Sequence, residues 1–135
     1  MTHSDILRLK LVQKGRVKKV TTYDMTNFAA NVSDLLRPLG ITRNMKAYRI
    51  LSDALALICE QEDRLEAIQK EVYEPLADQN HFNNWTAVQS IIRRAAQTAW
   101  SVSPAQVQQL AGYPLTGCPS AVQFLEMLYN ALVRG

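Results

Sequence analysis

From Asn27 onward, apolar residues return every three or four positions, the period of an amphipathic α-helix, and the rhythm persists through the rest of the chain. A chain patterned this way folds as packed helices. Phe28, Val32, Leu35, Leu36 and Leu39 form the first stripe, with Gly40 as its stop just past Pro38. In "TRNMKAYRILSDALALICEQ" the stripe is Met45, Tyr48, Leu51, Leu55 and Ile58, with Thr42 or Asn44 as N-cap. "EDRLEAIQKEVYEPLADQN" contains Pro75, which has no place in an unbroken helix interior. One helix is therefore expected to end near Tyr73, and a short one to begin with Pro75 at its first position.

"HFNN" makes the next turn, and "NNWTAVQSIIRRAAQTAW", residues 83–100, reads as a single helix. Val88, Ile91, Ile92, Ala95, Ala96 and Ala99 make its apolar stripe. The opposite face carries Thr86, Ser90, Arg93 and Gln97, flanked by Gln89 and Arg94. These side chains are of the kinds that read base edges or grip phosphates, and they are also ordinary helix-surface residues. Beyond it, Ser103, Pro104 and Gly112 bound a short helix. The last helix opens with Ser120 and Gln123 at capping-box spacing and is expected to bury Val122, Leu125, Leu128, Tyr129 and Leu132. Six or seven helices without a repeat make an all-α domain. The short helix from Pro75, the polar turn and the longer helix after it form a helix-turn-helix candidate.

With 135 residues and 47% hydrophobic content, the chain suits one globular domain. No apolar run has membrane-span length and the start lacks signal-peptide order, so a cytoplasmic protein with no membrane partner is expected. Cys59 and Cys118 stand far apart and read as packing thiols, and His3 and His81 as surface or turn residues. No disulfide, metal site or cofactor is expected. Asp63, Glu66, Glu71, Glu74 and Asp78 have no neighbouring His or phosphate loop, which argues against an enzyme.

Residues 1–26 hold six Lys or Arg against two Asp, a charge of +4, whereas residues 27–135 carry nine basic and ten acidic groups, −1. The division marks residues 1–26 as a basic arm and 27–135 as the helical domain. Within the arm, Leu7, Leu9 and Leu11 alternate with Arg8 and Lys10 before Lys14-Gly15, a pattern for a short β-hairpin or pairing strand, with a frayed helix as the alternative. Such an arm could grip nucleic acid or be a solvated tail.

"LRPLGITRNMKAYRIL", "KEVYEPLA", "VQSIIRRAAQTAW", "QLAGY" and "FLEMLYNALVR" together resemble, in order and spacing, the C-terminal effector domain of the stage-zero sporulation response regulators. The resemblance covers about residues 27–134 and implies a six-helix bundle that binds duplex DNA through a helix-turn-helix, with neighbouring copies touching. It places the recognition helix at about residues 84–100 and points to Lys46, Thr86, Arg93 and Arg94; with the polar helix face read above, DNA contact is expected from Lys46, Asn84, Thr86, Gln89, Ser90, Arg93, Arg94 and Gln97. There are departures. Where the family opens the recognition helix with Ser-Arg-hydrophobic-Glu-Arg, this chain has Thr86-Ala87-Val88-Gln89-Ser90, and Trp85 replaces a customary Pro. The interval from Tyr73 to Val88 is one residue longer. The family's usual phospho-acceptor domain cannot fit in a 26-residue arm, so phosphorylation is not expected to be the switch.

Two functions follow from these readings. The first is a sequence-specific DNA-binding transcription regulator acting as a homodimer. The alternative is a paralogue that has lost specific readout and works through contacts with a full-length sporulation regulator or RNA polymerase.

Overall fold

The computed structural model describes residues 23–134, and no strand occurs among them. A 3₁₀ turn, Met25–Asn27, leads into α1 (Phe28–Leu36), which tightens into a second 3₁₀ turn, Arg37–Leu39. Gly40 ends it at φ 81°, the left-handed conformation the sequence assigned to this stop. Helix α2 (Lys46–Glu60) follows, then α3 (Glu74–Gln79), α4 (Thr86–Val102), α5 (Pro104–Ala111) and α6 (Ala121–Arg134). The all-α expectation holds. The hairpin expectation for the basic arm concerns residues outside those described.

Several local expectations need correction. Helix α2 begins at Lys46 behind Met45, and neither Thr42 nor Asn44 caps it; the Thr42 hydroxyl instead donates to Asn44 Oδ1 at 2.6 Å. Residues 62–73 do not form one α-helix. Gln61 turns extended, Glu62–Ala67 forms 3₁₀ turns, and Gln69–Tyr73 is π-helical. Nor does the chain break at Pro75, since Tyr73 and Glu74 both keep helical dihedrals. The π turn explains this: its wider ring, closed by the Glu74 amide on the Gln69 carbonyl, relieves the clash a proline makes with the carbonyl four residues back. Val122 is 38% exposed, and α6 is buried instead through Ala121, Phe124, Leu125, Met127, Leu128, Tyr129 and Leu132. Cys59 packs inside, whereas Cys118 is exposed.

Other signals read correctly. Gly112 closes α5 at φ 74°, and Ser120 and Gln123 form the reciprocal capping box at 2.9 and 3.2 Å. One core joins the elements, with Leu36, Leu39, Ile50, Leu55, Ile58, Ile92, Phe124 and Leu125 fully buried. Helix α4 runs through its middle against α2, α5 and α6, so its inner face is fixed by packing on three sides. Only its outer face is available for contact.

Candidate nucleic-acid interface

The interface is built from α3, the turn 80–85 and α4. Helix α3 ends in a Schellman motif: the Phe82 amide donates to the Ala77 carbonyl at 2.8 Å and the His81 amide to that of Asp78 at 3.2 Å. His81 occupies its left-handed position at φ 60°. At the other side of the turn, the Asn84 Oδ1 accepts from the Thr86 amide at 2.9 Å and from the Thr86 hydroxyl, which caps the start of α4. This is why the helix begins at Thr86 rather than at residue 83 or 84. It runs to Val102, beyond the expected residue 100, because no obstacle to helix arises before Ser103, the residue preceding Pro104.

Trp85 stacks on Tyr73, ring centroids 6.1 Å apart and planes 9° from parallel. The stack pins the turn to the segment that leads into α3, a rigid link where the family resemblance would place a proline. Tyr73 is buried, its hydroxyl has no hydrogen-bond partner among the described residues, and burial pushes its pKa up to about 12.

On α4, Val88, Ile92, Ala95, Ala96 and Ala99 face the core as the periodicity requires, and Ile91 is half-buried. Thr86, Arg93, Arg94 and Gln97 are exposed, and Ser90 is half-buried at the centre of the same outer face. Gln89 is half-buried too, one residue step or about 100° around from Ser90, and so stands at the edge of that face. Arg94 Nε leans back to within 3.4 Å of the Ser90 carbonyl. Between the turn and the helix lies an open hollow of about 460 Å³, bordered by His81, Asn83, Asn84, Thr86, Ser90 and Arg94.

Lys46, on the second helix, lies beside the turn: its Nζ is 5.6 Å from the centroid of the Phe82 ring, a cation–π contact. Arg49, one turn on, places Nη2 3.4 Å from Asn80 Oδ1. Arg43, Lys46 and Arg49 border one shallow groove. Sequence reading missed Arg43 and Arg49, although three cations at steps of three residues were the available signal.

The buried inner face, the capped start and the short preceding helix together are the layout of a helix-turn-helix. A family model described as "Sporulation initiation factor Spo0A C terminal" matches residues 32–132, spanning α3, the turn and α4 entirely. The chain belongs to this family. The Spo0A C-terminal family is one of DNA-binding sporulation regulators, not of enzymes, and the match agrees with the resemblance carried by the quoted motifs. Among the described residues no cluster could hold a metal ion, and no helix is long and apolar enough to cross a membrane.

Proposed function

We propose that this chain is a sequence-specific transcription regulator that lays α4 in the major groove of duplex DNA. The observation that carries this reading is the outer face of α4, where Thr86, Ser90, Arg93, Arg94 and Gln97 stand together beside the turn while the inner face is locked in the core. Ser90, Gln89 and Gln97 are of the types that bond base edges, and Arg93, Arg94 and Lys46 are suited to phosphates. Asn84 Oδ1 is occupied by the Thr86 amide and hydroxyl, so these two residues order the start of α4, whose remaining free amides favour an anionic oxygen.

Selection of bound sequences from a random duplex pool tests specificity, and a recovered motif is the expected result. Recovery of no motif, with salt-sensitive binding retained, would leave a non-specific binder. Absence of DNA binding altogether would favour the protein-contact reading, in which a full-length regulator or RNA polymerase is the partner. What supports that second reading is the charge of residues 23–135, nine basic against eleven acidic groups.

A further inference from the structure

Three residues in the described chain have a left-handed backbone, and all sit at helix ends: Gly40 at φ 81°, Gly112 at φ 74° and His81 at φ 60°. Glycine adopts this conformation freely, whereas a side chain at such a position is strained. His81, of a type that tolerates this backbone better than most side chains but less freely than glycine, stands where the same chain twice uses glycine. The imidazole repays nothing to the fold: it is exposed, and among the described residues its ring has no hydrogen-bond partner. It borders the hollow that Thr86, Ser90 and Arg94 also border. A strained residue without a structural role points to a role for its side chain.

We propose that His81 is a DNA-phosphate contact that forms on protonation, so that the affinity of this interface rises as pH falls. The inference rests on the DNA-binding reading above. The charged side chains of the elements that flank or touch the turn are Glu74 and Asp78 on α3, Lys46, Arg49, Asp53 and, at the far end, Glu60 on α2, and Arg93 and Arg94 on α4. Of these only Arg94 borders the hollow, and no carboxylate does. A charged imidazole there has no internal counterion in the hollow and adds to the arginine in attracting a phosphate. Imidazole is the side chain that ordinarily changes charge between about pH 5 and 8, so a complex that favours the charged ring draws a proton from solution onto the protein as DNA binds.

The test is the salt dependence of binding of the full chain to a short mixed-sequence duplex, at about pH 5.5 and about pH 8. The unsubstituted chain should show a log–log slope steeper by about 0.9 at the lower pH, the value of one added phosphate contact. His81→Asn should show equal slopes at the two pH values, since asparagine tolerates the left-handed backbone and lacks the charge. His3→Asn should behave as the unsubstituted chain, which assigns the effect to His81. Equal slopes in the unsubstituted chain, or a pH-dependent slope that survives His81→Asn, would overturn the inference and leave DNA binding intact. A chain that binds no duplex at either pH would overturn the parent reading.

Discussion

Tyr73 is a residue whose polar atom works against the fold. Its ring is held between the core and Trp85, while its hydroxyl, buried and without a partner among the described residues, loses its hydration for nothing. Tyr73→Phe should therefore be as stable as the unsubstituted chain or more so at neutral pH, as measured by thermal unfolding. The pH dependence has a definite sign. Burial raises Tyr73 from 10.0 to about 12 and Cys59 from 9.0 to about 11, so the neutral forms are favoured in the fold. Their stability contribution is complete below the unfolded values and is lost as pH rises through about 9 to 12. Tyr73→Phe should remove the upper part of that alkaline loss, and an unchanged alkaline profile would contradict the buried hydroxyl. Arg93 acts on the other side of the molecule. It is exposed on α4 with no partner holding it among the described residues, so Arg93→Ala should leave stability nearly unchanged. It should reduce the salt slope of DNA binding by about 0.9, and an equal slope in the folded variant would remove Arg93 from the interface.

At the scale of the element, α4 divides cleanly into a face that the fold uses and a face that it does not. Ser90 sits at the centre of the free face and Gln89 at its edge, where the family resemblance leads to charged base-reading groups instead. Glutamine pairs with adenine and serine bonds several bases, so readout by these two should select a site different from one read by arginine. Replacement of both by alanine should lower discrimination by about 1–3 kcal/mol per true contact, seen as a relaxed motif in a repeated selection. An unaltered motif would place readout elsewhere on the helix. This face was legible in the sequence, as were the stops at Gly40 and Gly112 and the Ser120–Gln123 box, because each depends on residues within one or two turns. The π turn before Pro75 was not, since the same proline also permits a break. The Trp85–Tyr73 stack and the Lys46–Phe82 contact were hidden for a different reason: each joins residues brought together only by the fold.

Across the whole molecule, charge is arranged along α2. Arg43, Lys46 and Arg49 lie at its start beside the turn, while Glu60 ends it and Glu62, Asp63 and Glu66 follow. Fifteen residues of helix separate the two ends by about 22 Å. Arg64, paired with Glu60 at 3.1 Å, offsets part of the acidic end, and what remains favours approach of a polyanion at the end that carries the candidate interface. Residues 1–22 add six basic groups against one acidic, +5, whereas residues 23–135 carry nine basic against eleven acidic groups, −2, so all the net positive charge comes from the arm. The body they join begins at Tyr23, whose hydroxyl accepts from Asn31 Nδ2 at 2.9 Å and whose ring meets Phe28 edge-on, so a truncation that spares the fold must cut before Tyr23. We propose that the arm pairs as an extended strand, in which the alternation of Leu7, Leu9 and Leu11 with Arg8 and Lys10 would set leucines on one side and cations on the other. Pairing the apolar sides of two arms would bury them and double the cationic surface, which joins dimer formation to DNA affinity. The full chain should therefore sediment as a dimer without DNA, and the chain lacking residues 1–22 as a monomer that binds DNA more weakly and with a shallower salt slope. Equal masses for the two, with only the salt-sensitive affinity reduced, would show that the arm contributes charge alone and that copies meet, if at all, through the helical body.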